Sequence, residues 1–64
     1  MSPLQKDPAK AEAIIRSAIH VFARDGLDKG KIADIATEAG IGKGTVYEYF
    51  RSKDEIFQAM ADTI

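Results

Sequence analysis

Apolar residues in this chain recur at intervals of three and four, most cleanly between Lys31 and Phe50. Ile32, Ile35, Ala36 and Ala39 fall at i, i+3, i+4 and i+7, one face of a helix with a period of about 3.6 residues, and that face must be buried. Beyond Gly40-Ile41-Gly42, Val46 and Phe50 share a second face, from which Gly44, Thr45 and Glu48 point away. Gly40 stands where the first helix must stop, a left-handed position that suits a residue without a Cβ. Ile41 drops an apolar anchor between the helices, and Gly42 serves as a modest N-cap for the second. Two helices joined by a tight glycine-containing turn make a helix-turn-helix, here residues 31–50, whose second helix is shaped to enter a DNA major groove.

The same periodicity organises the flanks. A helix is predicted from about Ala9 to Asp25, with Ala11, Ile15, Ala18, Ile19 and Phe22 as its main stripe and Ile14 and Val21 widening it. Asp25-Gly26 supplies the stop. Residues 1–8 carry two prolines, mixed charge and no periodicity, and are expected to form a flexible arm whose Lys6, like Lys10 beyond it, either touches phosphate or is simply solvated. Leu27 is expected to tuck into the core. Ser52-Lys53-Asp54-Glu55 has the spacing of a capping box, followed by an apolar edge of Ile56, Phe57, Met60 and Ile64. The expected fold is all-α: a three-helix helix-turn-helix bundle in residues 9–64 plus the start of a fourth helix.

Sixty-four residues make one small domain, near the lower limit for a self-sufficient core. The chain has no cysteine, so neither disulfides nor a zinc finger can staple it. No apolar run approaches a membrane span, and the N-terminus lacks a signal peptide's apolar core, so a cytoplasmic location is expected. A formal charge of −1 does not announce a nucleic-acid partner. Residues 31–53 are slightly basic: Lys31, Lys43, Arg51 and Lys53 against Asp34, Glu38 and Glu48 leave +1. Placement must therefore decide, because acids on far faces are screened beyond about 8 to 10 Å.

The run Ile35-Ala36-x-x-Ala39-Gly40-Ile41-x-Lys43-Gly44-Thr45-Val46-Tyr47-x-Tyr49-Phe50-x-Ser52-Lys53-x-Glu55 resembles the DNA-binding domain of TetR-family transcriptional repressors. The likeness reaches back to Phe22-Ala23-x-x-Gly26 and covers roughly residues 11–60. It implies a four-helix DNA-binding unit that works on double-stranded DNA as half of a homodimer. It further implies a larger C-terminal region, absent from these residues, that dimerises and binds a small-molecule effector whose signal helix 4 transmits. The chain is accordingly expected to be a domain of a longer, effector-released repressor.

The expected DNA-facing residues are Lys31, Gly42, Lys43, Gly44, Thr45, Tyr47, Glu48, Tyr49 and Lys53. Gly44 is a poor helix former, so its place inside a short helix suggests close backbone approach to another surface. Thr45 suits a phosphate or a thymine edge, and Lys43 a phosphate or a guanine edge. Tyr47 and Tyr49 either donate to phosphate oxygens or merely seal a small core; the resemblance implies the DNA surface for Lys43, Thr45, Tyr47 and Tyr49. Glu48 is expected to tune sequence preference through a cytosine amino group. Lys53, beside a helix N-terminus, either clamps phosphate or is solvated. Gly30 and Lys31 stand where the resembled family often has a hydroxyl cap, so Lys31 would substitute a charge.

Other chemistries fare badly. His20 is the only histidine and has no evident metal or triad partner. Gly40-x-Gly42-x-Gly44 fits neither the Walker nor the dinucleotide spacing. With no nucleophile–base pair, no enzyme and no cofactor are expected. The rival reading is a helical protein-interaction module that docks Phe57, Met60 and Ile64 onto a partner.

Overall fold

The computed structural model describes residues 7–63 of the chain; the expected arm residues 1–6 and the apolar Ile64 lie outside them. Four helices follow in order, α1 Pro8–Asp25, α2 Ile32–Ala39, α3 Lys43–Tyr49 and α4 Lys53–Thr63, with no strand among the described residues. The all-α class is therefore the one the sequence implied.

Asp7-Pro8 starts α1. Asp7 is extended (φ −84°, ψ 115°) and its carboxylate accepts from the Ala9 amide at 2.9 Å, while Pro8 occupies the first helical turn, where its missing N–H has no partner to lose. Both residues, expected in the arm, are the cap and the first residue of the helix. At the other end Gly26 (φ 85°) donates to the Phe22 carbonyl at 2.8 Å.

The face that α1 buries is rotated from the expected one. Ile14, Ser17, Ala18, Val21 and Phe22 are buried, whereas Ala11 and Ile15 are half-buried and Ile19 is 39% exposed. α1 packs against both α2 and α4, and Ser17 and Ala18 are small enough to let those helices approach. Leu27 is also displaced from its expected place, at 37% exposure. The neighbouring interior is taken by Gly30, whose Cα lies so close to Phe22 that an added Cβ would stand 2.5 and 2.7 Å from the ring.

α2 buries Ile32, Ile35 and Ala36 as the periodicity required. Its end is a Schellman turn: Gly40 is left-handed (φ 73°, ψ 30°), Ile41 donates to Ala36 at 3.0 Å and Gly40 to Thr37 at 3.1 Å. Ile41 packs against the core. α3 contributes Val46, fully buried, with Phe50 packed beside it. In α4 the Ser52 hydroxyl accepts from the Glu55 amide at 3.3 Å, but the Glu55 carboxylate reaches the amide of Arg51 rather than that of Ser52, so the box is displaced by one residue. Ile56 is buried and Met60 packs against the core, while Phe57 turns outward at 48% exposure.

Candidate nucleic-acid interface

α2, the Gly40–Gly42 turn and α3 hold Val46 inward, and that register decides what α3 presents outside. Lys43, Gly44, Tyr47 and Glu48 are exposed, Tyr47 to 46%, and Gly42 is exposed at the start of the helix. Thr45 is half-buried, less outward than its helical angle suggested. A Cβ built on Gly44 meets nothing within 4 Å, so no neighbour inside the domain requires glycine there.

Tyr49 sits on the edge of this surface. Its ring packs against the core, as the sealing alternative held, and its hydroxyl oxygen accepts from the Asp7 amide at 2.9 Å. The end of α3 is thereby tied to the start of α1, 42 residues earlier in the chain.

Lys31, Lys43, Tyr47 and Lys53 come together. They line one open concavity with Asp28, Lys29, Gly30 and the first turn of α2. Four lysines and one aspartate give that lining a charge of +3, in a chain whose total is −1. Several acids elsewhere have basic partners: Glu12 is 2.7 Å from Arg16, Asp25 lies 3.1 Å from Arg24, and Glu38 is 3.7 Å from His20. Hydrogen bonding and charge attraction between Arg24 and Asp25 raise the arginine and hold the aspartate below its ordinary range. The basic concavity was illegible from net charge because a sum over the chain does not record this sorting. Lys29 was not among the residues expected at the interface, although the alternation Asp28-Lys29-Gly30-Lys31 places it two positions from Lys31.

Lys53 has partners that the sequence did not suggest. Its ammonium donates to the Gly30 carbonyl at 2.8 Å and the Asp28 carbonyl at 3.2 Å, and lies 5.9 Å from the Phe22 ring centroid. Lys31 is the N-cap of α2 and gives no side-chain hydrogen bond to it, in keeping with the lost hydroxyl cap. Among the described residues no group of three or more His, Cys, Asp or Glu can hold a metal, and no helix is long and apolar enough to cross a membrane.

Two helices joined by a tight turn, the second anchored by buried Val46 and exposed at Lys43 and Tyr47, have the form of a helix-turn-helix, a unit that presents its second helix to DNA. The family described as bacterial regulatory proteins, tetR family, matches residues 14–60. The chain belongs to that family, which is one of transcriptional regulators and not of enzymes. It is 44% identical over 55 residues to the HTH-type transcriptional regulator YvdT of Bacillus subtilis (strain 168), covering 86% of this chain and 28% of that protein. It is 40% identical over 52 residues to the fatty acid metabolism regulator protein of the same organism, covering 81% and 26%. With the HTH-type transcriptional repressor BepR of Brucella suis biovar 1 (strain 1330) it shares 37% identity over 49 residues, covering 77% and 23%. The chain thus spans about a quarter of the length of these relatives. No solved structure gives a significant match.

Proposed function

We propose that the chain is the double-stranded-DNA-binding domain of a cytoplasmic, effector-released transcriptional repressor, working as half of a homodimer. α3 enters the major groove, where Lys43, Thr45 and Glu48 meet base edges and Gly42 and Gly44 allow the backbone to come close. Lys31, Tyr47 and the concavity they line take the flanking phosphates. Tyr49 and Lys53 border this surface. In a dimer two such helices reach successive major grooves about 34 to 36 Å apart. The helical residues from Pro8 onward form the DNA-binding domain, while the dimer interface and a small-molecule effector belong to a segment outside these residues. The repressor's name carried by one relative favours repression over activation.

One observation carries this reading: a +3 concavity opens beside an α3 whose Lys43, Gly44, Tyr47 and Glu48 are exposed. Duplex affinity is expected to fall steeply with salt, and Lys43→Ala and Tyr47→Phe are expected to weaken it with the helical circular-dichroism signal intact. Binding indifferent to salt and to both substitutions defeats the proposal. It would favour an apolar docking module instead, a reading with exposed Phe57 in its favour but with Met60 already packed against the domain's own core.

A further inference from the structure

We infer that Lys53 is a positioning residue for the DNA surface, acting through the α1–α2 loop and not through a phosphate of its own; the inference rests on the proposed function above. Lys53 stands in the first turn of α4 beside Asp54 and Glu55, which complement the positive end of that helix, and its ammonium is directed elsewhere. It donates to the carbonyls of Gly30 and Asp28, 23 and 25 residues away in sequence. These are charge-assisted bonds, the stronger kind. The same loop is held from two other sides: the Gly30 amide donates to Gly26 at 2.8 Å, and Phe22 closes on the Gly30 Cα.

Two consequences follow for an anion. Gly30 is covalently next to Lys31, the N-cap of α2, so fixing the Gly30 carbonyl fixes where the Lys31 side chain and the first turn of α2 begin. Asp28, Gly30 and Lys53 also line the concavity. With Lys53 removed, the Asp28 and Gly30 carbonyls, in residues that border the concavity, lose their cationic donor. Lys53 therefore acts twice without touching DNA: it neutralises the carbonyls and it sets the register of Lys31.

The test uses the full chain and a fluorescent duplex recovered by selection with it. Lys53→Met keeps the length of the side chain and removes its donors. It is expected to weaken binding roughly tenfold, to leave the slope of log affinity against log salt within a fraction of one of the parent's, and to shift the free protein's amide resonances from Asp28 to Ile32. A slope shallower by about one, with those resonances in place, would mean a direct phosphate contact and overturn the inference. Unchanged affinity would also overturn it. If the methionine variant does not fold, Lys53→Gln, which keeps a neutral donor, decides by the same slope. A parent chain that shows no salt-dependent binding to any selected duplex defeats the proposed function instead, while the loop resonances still report whether Lys53 holds the loop.

Discussion

α1 and α4 begin on side chains, whereas α2 and α3 begin on backbone alone. Asp7 caps α1 and Ser52 caps α4 through hydrogen bonds to amides in the first turn, but Lys31 and Gly42 offer α2 and α3 no such bond. The starts of the two bracing helices are thus satisfied within the domain. The corner that faces the proposed DNA relies on its Schellman turn and on Ile32, Ile35, Ala36 and Val46 beneath it. What α2 lacks at its start is what an anion can supply, and the lysines gathered around that start are suited to bring one. The difference separates residues that hold the domain together from residues whose contribution waits for a partner.

The largest effect expected is on the apolar floor of that corner. Ile35→Ala removes a side chain with no solvent exposure and is expected to cost about 2–5 kcal/mol, close to the whole stability of a domain this small. Urea unfolding followed by circular dichroism would measure it. A loss under about 1 kcal/mol would mean that the corner is not supported from below as described.

The caps give the next contrast. Ser52→Ala is expected to lower unfolding stability by about 1 kcal/mol and to leave duplex affinity of the folded protein unchanged. Lys31→Ala is expected to do the reverse: stability stays within about 0.5 kcal/mol, while affinity falls and the salt slope becomes shallower by about one. If both substitutions moved both quantities together, the division between bracing and DNA-facing helix starts would not hold.

How far this division was legible in the sequence differs from helix to helix. The corner was legible because its signals are local: a strict apolar face on α2, a glycine at the left-handed stop and Ile41 behind it. The rotation of α1 was not. That helix offers apolar residues on adjoining faces, and only contact with α2 and α4 selects Ile14 and Val21 over Ile15 and Ile19; a serine at position 17 made the true face look the poorer one. The roles of Gly30 and Lys53 were equally hidden, since each depends on a partner brought near by the fold. Asp7-Pro8 is a different case, because an aspartate followed by a proline just before a helical pattern is itself a start signal and was available to be read.

The smallest expected effect is also the one that divides the two regions most sharply. Gly44 lies within the first turn of α3 with open space around the site of a Cβ, and its φ is not positive, so Gly44→Ala introduces neither a clash nor backbone strain. Alanine also gives up less conformational freedom on folding, and the substitution is expected to raise stability by a few tenths of a kcal/mol to about 1 kcal/mol. No neighbour within the domain requires a glycine there; under the proposed function a methyl group at this position would stand between α3 and the groove wall. Gly44→Ala should therefore unfold later in urea and bind duplex less tightly. A variant that is more stable and binds as well as the parent would show that nothing comes close to α3 at this position, and the proposed placement of the helix in the groove would have to be turned about its axis.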